Sequence, residues 1–454
     1  MSNTIIQLDA TQAIELIRQA EIRVVEYMQA CLDQIEKVEP VVEAWAYFDP
    51  ESALNQAKFL DQKLDEGPQP GALIGMPVGV KDIFNTYDMP TQMGSPIWKD
   101  FTPGNDARVV HYLRMAQAII PGKTVTAEFA VHTPGPTRNP HNPTYMAGTS
   151  STGSAVAVAA NMVPLAIGTQ TAGSTIRPAS YTGVFGYKSS FGLLPRTAML
   201  KTTDSLDTVG MFARSARDLR LLFDVMRVKG VDYPISEKIL SDPNRQIKSG
   251  KWKIGVLRGP KWDHAEKYAQ EQLFTFAEKL AADTEILVEE ITIPESLNTV
   301  HDIHATIYDR TLAYYFKDEF RQKTLVSKTM YEIITRGNQI SLEQYLRAME
   351  KQAHIAKELD RFFVDNDLDI LLDLSTGGEA LEGLGSEDRP DNCLIWTFCG
   401  IPAINLPAFI GPTKLPFGAQ IISRRYNDYL LLSFAEYLSE AGLIPPATYP
   451  PVTR

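Results

Sequence analysis

Three short stretches hold the residue types that could do covalent chemistry. GTQTAGSTIRPAS (168–180) crowds small hydroxyl residues and glycines around Ser174, AGTSSTGSA (147–155) carries Ser150 and Ser151, and MPVGVKD (76–82) sets Lys81 inside an apolar run. A serine nucleophile needs a base that can take its proton. The nearest histidines, His132 and His141, lie well upstream of Ser174, and no Asp or Glu occurs between Glu128 and Asp204. The usual serine–histidine partnership is therefore not visible. Nor do the serines and glycines read as a phosphate cradle, because no Gly-Lys-Ser/Thr ending follows them.

The elements that must position these residues follow from periodicity and punctuation. Asp9 with Gln12 reads as a capping box before IELIRQA, and VVEYMQACLDQIEKV continues the pattern, which predicts that residues 1–65 are mostly helix. ALIGMPVGVKDIF reads as a buried strand running into a turn, SAVAVAANM as a closely packed helix opening near Ser154, and VPLAIGTQT as a strand delivering the Ser174 stretch. Further strands are predicted at KIGVLRG, EILVEEITI, DLDILLDL, PAINLPAF and FGAQIIS, with helices at EKYAQEQLFTFAEKLAAD and YLLLSFAEYLSEA. Residues 300–366 have helical periodicity and predict a helical module laid over the core. Strands alternating with helices predict an α/β fold, a sheet sandwiched between helical layers, and the 454 residues are expected to form one dominant domain.

Composition narrows the function classes. Lys plus Arg at 44 against Asp plus Glu at 55 gives a net charge of −11 with basic residues scattered, so no nucleic-acid partner is expected. Asp9 and Glu15 interrupt what a secretory signal needs, and the apolar run near SAVAVAANMVPLAIG is short and broken by Asn161 and Pro164. A cytoplasmic, non-membrane protein is the expectation. Cys31, Cys393 and Cys399 show no metal-ligand spacing and read as buried structural thiols, so no metal or cofactor is expected.

Taken together and in order, MPVGVKD, AGTSSTGSA and GTQTAGSTIRPAS, with GIPAINLP and LPFGAQII downstream, resemble the amidase signature family. The resemblance runs from the N-terminal helices to QIIS. It implies a central mixed β-sheet flanked by helices on both faces, a single domain over 1–454 with N-terminal helices at 1–65, a catalytic signature core at 66–225 and the variable module at 300–366. It makes Ser174 the nucleophile, Ser150 the bridging serine usually held by a cis peptide, and Lys81 the base. The Ser174 proton would then pass through Ser150 to a neutral Lys81 amine, since a hydroxyl donates and accepts at once. Thr171, Ala172, Gly173 and Ser174 are implied to form the oxyanion hole. Ser151, Arg177, Trp396 and Thr397 fall where substrate contacts are expected, Arg177 reading more readily as a loop anchor.

The chemistry sets conditions. A lysine ordinarily titrates near ~10.4, and holding it neutral near pH 7 takes about 4 kcal/mol of differential interaction, which burial beside Val78, Val80 and Ile83 would supply. Asp82 would oppose this and is expected to face away. The chain also departs from the family pattern: Thr149 and Thr152 stand for glycines, Gln170 for Asp, Ala172 for Gly, and Arg177 comes one place later. These departures bear on loop shape, because Thr and Ala tolerate positive φ poorly, and on what replaces a charge pair that pins the loop. His301 and His304 read as helix surface or pocket wall rather than a metal pair, and Tyr308, Tyr314, Tyr315 and Phe316 are candidate pocket walls or ordinary core. The resemblance implies an amidohydrolase acting on a small-molecule amide, with a possible homodimer. The alternatives are a glutaminase subunit of a tRNA-dependent amidotransferase and a catalytically silent binding or scaffold relative.

Overall fold

The computed structural model describes residues 5–67, 70–229, 239–445 and 450–453. Asp9 caps the first helix, α1 (Ala10–Arg18), in the capping box expected from the sequence, its side chain accepting from the Gln12 amide. α2 (Val24–Val42) and α3 (Pro50–Asp65) follow, but between them lies β1 (Trp45–Phe48), so the first 65 residues are not wholly helical. The four residues of β1 carry too short a pattern to read locally. They become a strand only by antiparallel pairing with β3 (Gly122–Thr124), far along the chain.

An 11-stranded sheet runs through the described residues in the order β1-β3-β2-β4-β6-β5-β10-β11-β9-β7-β8. The remaining strands are β2 (Val78–Lys81), β4 (Leu165–Gln170), β5 (Phe185–Lys188), β6 (Thr208–Ala213), β7 (Trp252–Leu257), β8 (Ile286–Ile291), β9 (Ile370–Leu374), β10 (Ala403–Ile410) and β11 (Pro416–Ser423). β2 runs parallel to β3 and β4, and β7 parallel to β8 and β9, while β4 through β6, β5, β10 and β11 to β9 is antiparallel. The sheet is therefore mixed, as the resemblance implies. Period-two alternation divides its side chains between two faces: Leu165 and Ile167 of β4 enter one core, Ala166 the other. Both faces are covered by helices, the arrangement that buries a sheet on each side.

Three features place the site. β2 and β4 are parallel neighbours, so Lys81 and Gln170 end at the same edge of the sheet. α4 (Arg108–Met115) leads into β3, and α5 (Thr152–Ala159) opens just after Ser151 with all of its residues buried. α6 (Ile176–Thr182) starts immediately beyond Ser174. α7 (Ala216–Met226) and α8 (Lys267–Ala281) support the sheet further along. The expected helical module is present as α9 (Val300–Tyr315), α10 (Lys328–Gln339) and α11 (Leu342–Asp365). α12 (Cys393–Phe398) and α13 (Asp428–Glu440) complete the layers.

Candidate active site

Lys81 ends β2 with its side chain fully buried. Its Nζ lies 2.9 Å from Ser150 Oγ, 3.0 Å from Ser151 Oγ and 3.0 Å from Thr169 Oγ1, three neutral hydroxyls. Burial holds the amine well below the usual lysine range, opposed only in part by the field of Asp207. Asp82, next in sequence, pairs instead with Lys123 at 3.2 Å and accepts from the Gln92 amide. The Lys81 amine thus has no carboxylate in its hydrogen-bond shell. A cavity of about 500 Å³ lined by Asp82, Glu128, Thr133 and Ser327 touches none of Lys81, Ser150 or Ser174.

The two adjacent serines have different work. The peptide bond between Thr149 and Ser150 is cis, and the Ser150 carbonyl accepts from the Ala127 amide at 3.1 Å. Ser151 Oγ accepts from the Thr169 N–H and donates to the Thr169 carbonyl, both at 3.1 Å, tying its loop to the end of β4. Gly168 is required for this approach, since a Cβ there would sit 2.7 Å from Ser151 Oγ. Ser150 and Ser151 have no solvent exposure, while Ser174 keeps 8%. Of the three serines, Ser174 is the one a substrate can reach.

The turn from Thr171 to Ser174 has all four carbonyl oxygens turned away and held. They accept from His304 Nε2 at 2.9 Å, Thr397 Oγ1 at 2.8 Å, the Arg177 N–H at 2.9 Å and the Ser151 N–H at 3.3 Å, in chain order. The amide N–H groups of the same four residues meet no acceptor among the described residues. Such a run of free amides beside a reachable hydroxyl is suited to a developing oxyanion.

The departures from the family pattern are accommodated without left-handed backbone. Thr149, Thr152 and Ala172 are not among the residues at positive φ; in the Ser150 loop that conformation falls on Gly148, at 82°. Gln170 replaces a charge with a neutral cap: its Oε1 accepts from the Thr175 and Ile176 amides at 2.9 and 3.0 Å, at the start of α6, and its Nε2 donates to Thr397 Oγ1 at 3.0 Å.

Arg177 is an anchor. Its guanidinium meets Asp391 at 2.7 Å and Asp388 at 3.0 Å, and Asp388 also accepts from the Thr149 hydroxyl. Ser151, Arg177, Trp396 and Thr397, expected near substrate, all make contacts within the protein itself. The Ser151, Arg177 and Thr397 polar groups are engaged with the scaffold, and Trp396 is fully buried. Of the aromatic candidates, Tyr308 alone lies by the site, edge-on to His132 at 6.0 Å and stacked on His304 at 5.6 Å. His132 is exposed to solvent, and desolvation by its surroundings pushes its imidazole down. Tyr314 is exposed, Tyr315 donates to Asp204 at 2.8 Å, and Phe316 packs on Phe129.

Asp207, Asp388 and Asp391 gave no signal in the sequence. Asp207 accepts from the hydroxyls of Thr171, Thr202 and Thr203, and thereby holds the turn from below. His301 meets the Asp391 carbonyl at 3.3 Å. Among the described residues no group of His, Cys, Asp and Glu is arranged to hold a metal ion.

The chain is 30% identical over 463 residues to the putative amidase AmiD of Mycobacterium bovis, covering 95% of this chain and 93% of that one. It is 30% identical over 474 residues to a glutamyl-tRNA(Gln) amidotransferase subunit of Carboxydothermus hydrogenoformans, covering 94% and 96%. The solved structure of 6-aminohexanoate cyclic dimer hydrolase superposes with a TM-score of 0.84 at 25% identity, covering 99% of each chain. With the sequence profile of the amidase family matching residues 26–432, the chain belongs to the amidase family.

Proposed function

We propose that the chain hydrolyses carboxylic amides through an acyl-enzyme on Ser174. It is an enzyme of amide hydrolysis by its family. The observation that carries the residue roles is the buried Lys81 amine, bonded to hydroxyls alone and joined to Ser150 at 2.9 Å. A neutral Lys81 takes the Ser150 proton as Ser150 takes that of Ser174, and Ser174 Oγ adds to the amide carbonyl. The oxyanion is held by the free amides of residues 171–174. Collapse breaks the C–N bond, the proton returns through Ser150 to the leaving amine, and water then releases the acid by the same relay in reverse. Ser174 Oγ forms no hydrogen bond to Ser150 Oγ without substrate, and such links commonly tighten in the Michaelis complex.

The continuous sheet supports a single catalytic unit over the chain. No helix among the described residues is long and apolar enough to cross a membrane. Ammonia or amine release from a panel of aliphatic, aryl, amino-acid and ureido amides tests the reading, with wild type beside Ser174→Ala. Release lost in the variant supports it; release unchanged in the variant overturns it. The similarity to one component of a tRNA-dependent amidotransferase keeps a partner-dependent glutaminase as the second reading. Glutamine hydrolysis only with companion subunits present would favour that, and turnover of other amides by the purified chain would exclude it.

A further inference from the structure

His304 projects from α9 in the helical module and is buried, with its Nε2 2.9 Å from the Thr171 carbonyl. A carbonyl only accepts, so Nε2 carries the hydrogen and donates it. Burial pushes this imidazole down to about 4, so at neutral pH the ring has one N–H, and it is spent on Thr171. The ring lies nearly flat on Tyr308, the planes inclined by 25°. The Thr171 hydroxyl, meanwhile, donates to Asp207 at 2.8 Å, so this residue is gripped at both its side chain and its carbonyl.

The four carbonyl anchors of the turn do not come from one place. Those of Ala172, Gly173 and Ser174 are held by α12, by α6 and by the Ser151 loop. The Thr171 carbonyl is held by the module that spans 300–365. Rotation of a peptide plane moves its C=O and the next N–H together, so a grip on the Thr171 oxygen fixes the direction of the Ala172 N–H.

We infer that His304 is a positioning residue for the oxyanion turn, aiming the Ala172 amide at the reacting carbonyl by holding the Thr171 oxygen from the helical cover. The inference rests on the amide-hydrolase reading and deepens it. The cover then sets the rate of the chemical step through a residue outside the Lys81, Ser150 and Ser174 group.

H304F keeps an aromatic ring for Tyr308 and removes the donor; H304Q restores an N–H. With a substrate that wild type turns over, kcat of H304F should fall at least about tenfold with KM changed less than about threefold, and H304Q should recover part of the loss. A boronic acid that mimics the tetrahedral adduct should lose affinity for H304F in step with kcat/KM, while a ground-state amide analogue should not. An unchanged kcat, a change in KM alone, or equal weakening of both inhibitors would overturn the inference. If H304F does not fold, H304Q against H304N gives the same test: the inference requires kcat and boronate affinity to move together, and independent movement overturns it. A Ser174→Ala variant run alongside separates the two ideas. Activity surviving in that variant removes the underlying reading, whereas activity lost there but untouched in H304F removes the positioning role alone.

Discussion

Lys81 and Lys123 lie on neighbouring strands, both fully buried, and face opposite chemistry. Lys123 has a carboxylate, Asp82 at 3.2 Å, with Thr91 Oγ1 and the Pro90 carbonyl completing its shell. Burial lowers it only to about 8, because Asp82 favours the ammonium form. Lys81 has hydroxyls alone and sits well below its ordinary value through burial. Two buried lysines one strand apart are thus divided by partner, one held by a carboxylate and the other by neutral hydroxyls alone. Asp82 adjoins Lys81 in sequence yet serves Lys123, which is how one carboxylate keeps the two apart.

Removing Ser174, the proposed nucleophile, should have the largest effect. Ser174→Ala should cut kcat by at least about 10³-fold with the fold intact by circular dichroism. Lys81→Met should approach that loss. Because no carboxylate is left unpaired by it, its cost in stability should be small; Lys123→Met, which strands Asp82, should cost about 3–5 kcal/mol in denaturant unfolding. If Lys81→Met proves the more destabilising of the two, the division between the lysines is wrong.

The same contrast has a pH signature. With its folded value depressed below 10.5, Lys81 binds fewer protons folded than unfolded between those two values, so its contribution to stability rises with pH across that window and is least favourable below it. Lys123 behaves likewise from about 8 upward. Activity should rise with pH along a limb set by Lys81, below the ordinary lysine range; a flat rate from about pH 5 to about pH 10 would sink Lys81 as the base. Lys81→Met should remove its share of the stability slope. The smallest effect belongs to Gln170→Ala, which uncaps α6 at Thr175 and Ile176 and should lower stability by about 1 kcal/mol.

How much could be read in advance depends on how far along the chain a feature's partners lie. Lys81, Ser150 and Ser174 stand out because their motifs are local, and the helices of 300–365 because their periodicity is long. β1, β5 and β6 were not legible: β1 and β5 span four residues each, and β1 acquires its identity from a partner distant in sequence, as when Trp45 meets Thr124. The signature loops hid their sign of φ, so threonine and alanine in place of glycine raised a question that only the backbone answered. Contacts across the fold were equally silent. Thr171 and His304 are 133 residues apart, and Arg177 finds Asp388 and Asp391 from a segment with no motif of its own.

The strand order also has a consequence for how the chain comes into being. β10 and β11, last of the strands in sequence, lie between β5 and β9, so they join a sheet half made from β1 to β6 to another made from β7 to β9. During synthesis both halves must wait with open edges until residues 403–423 emerge, and unpaired edges are where growing chains stick to one another. The last strands act as a keystone, and a nascent chain short of them has Lys81, Ser150 and Ser174 already made but no continuous sheet to hold them.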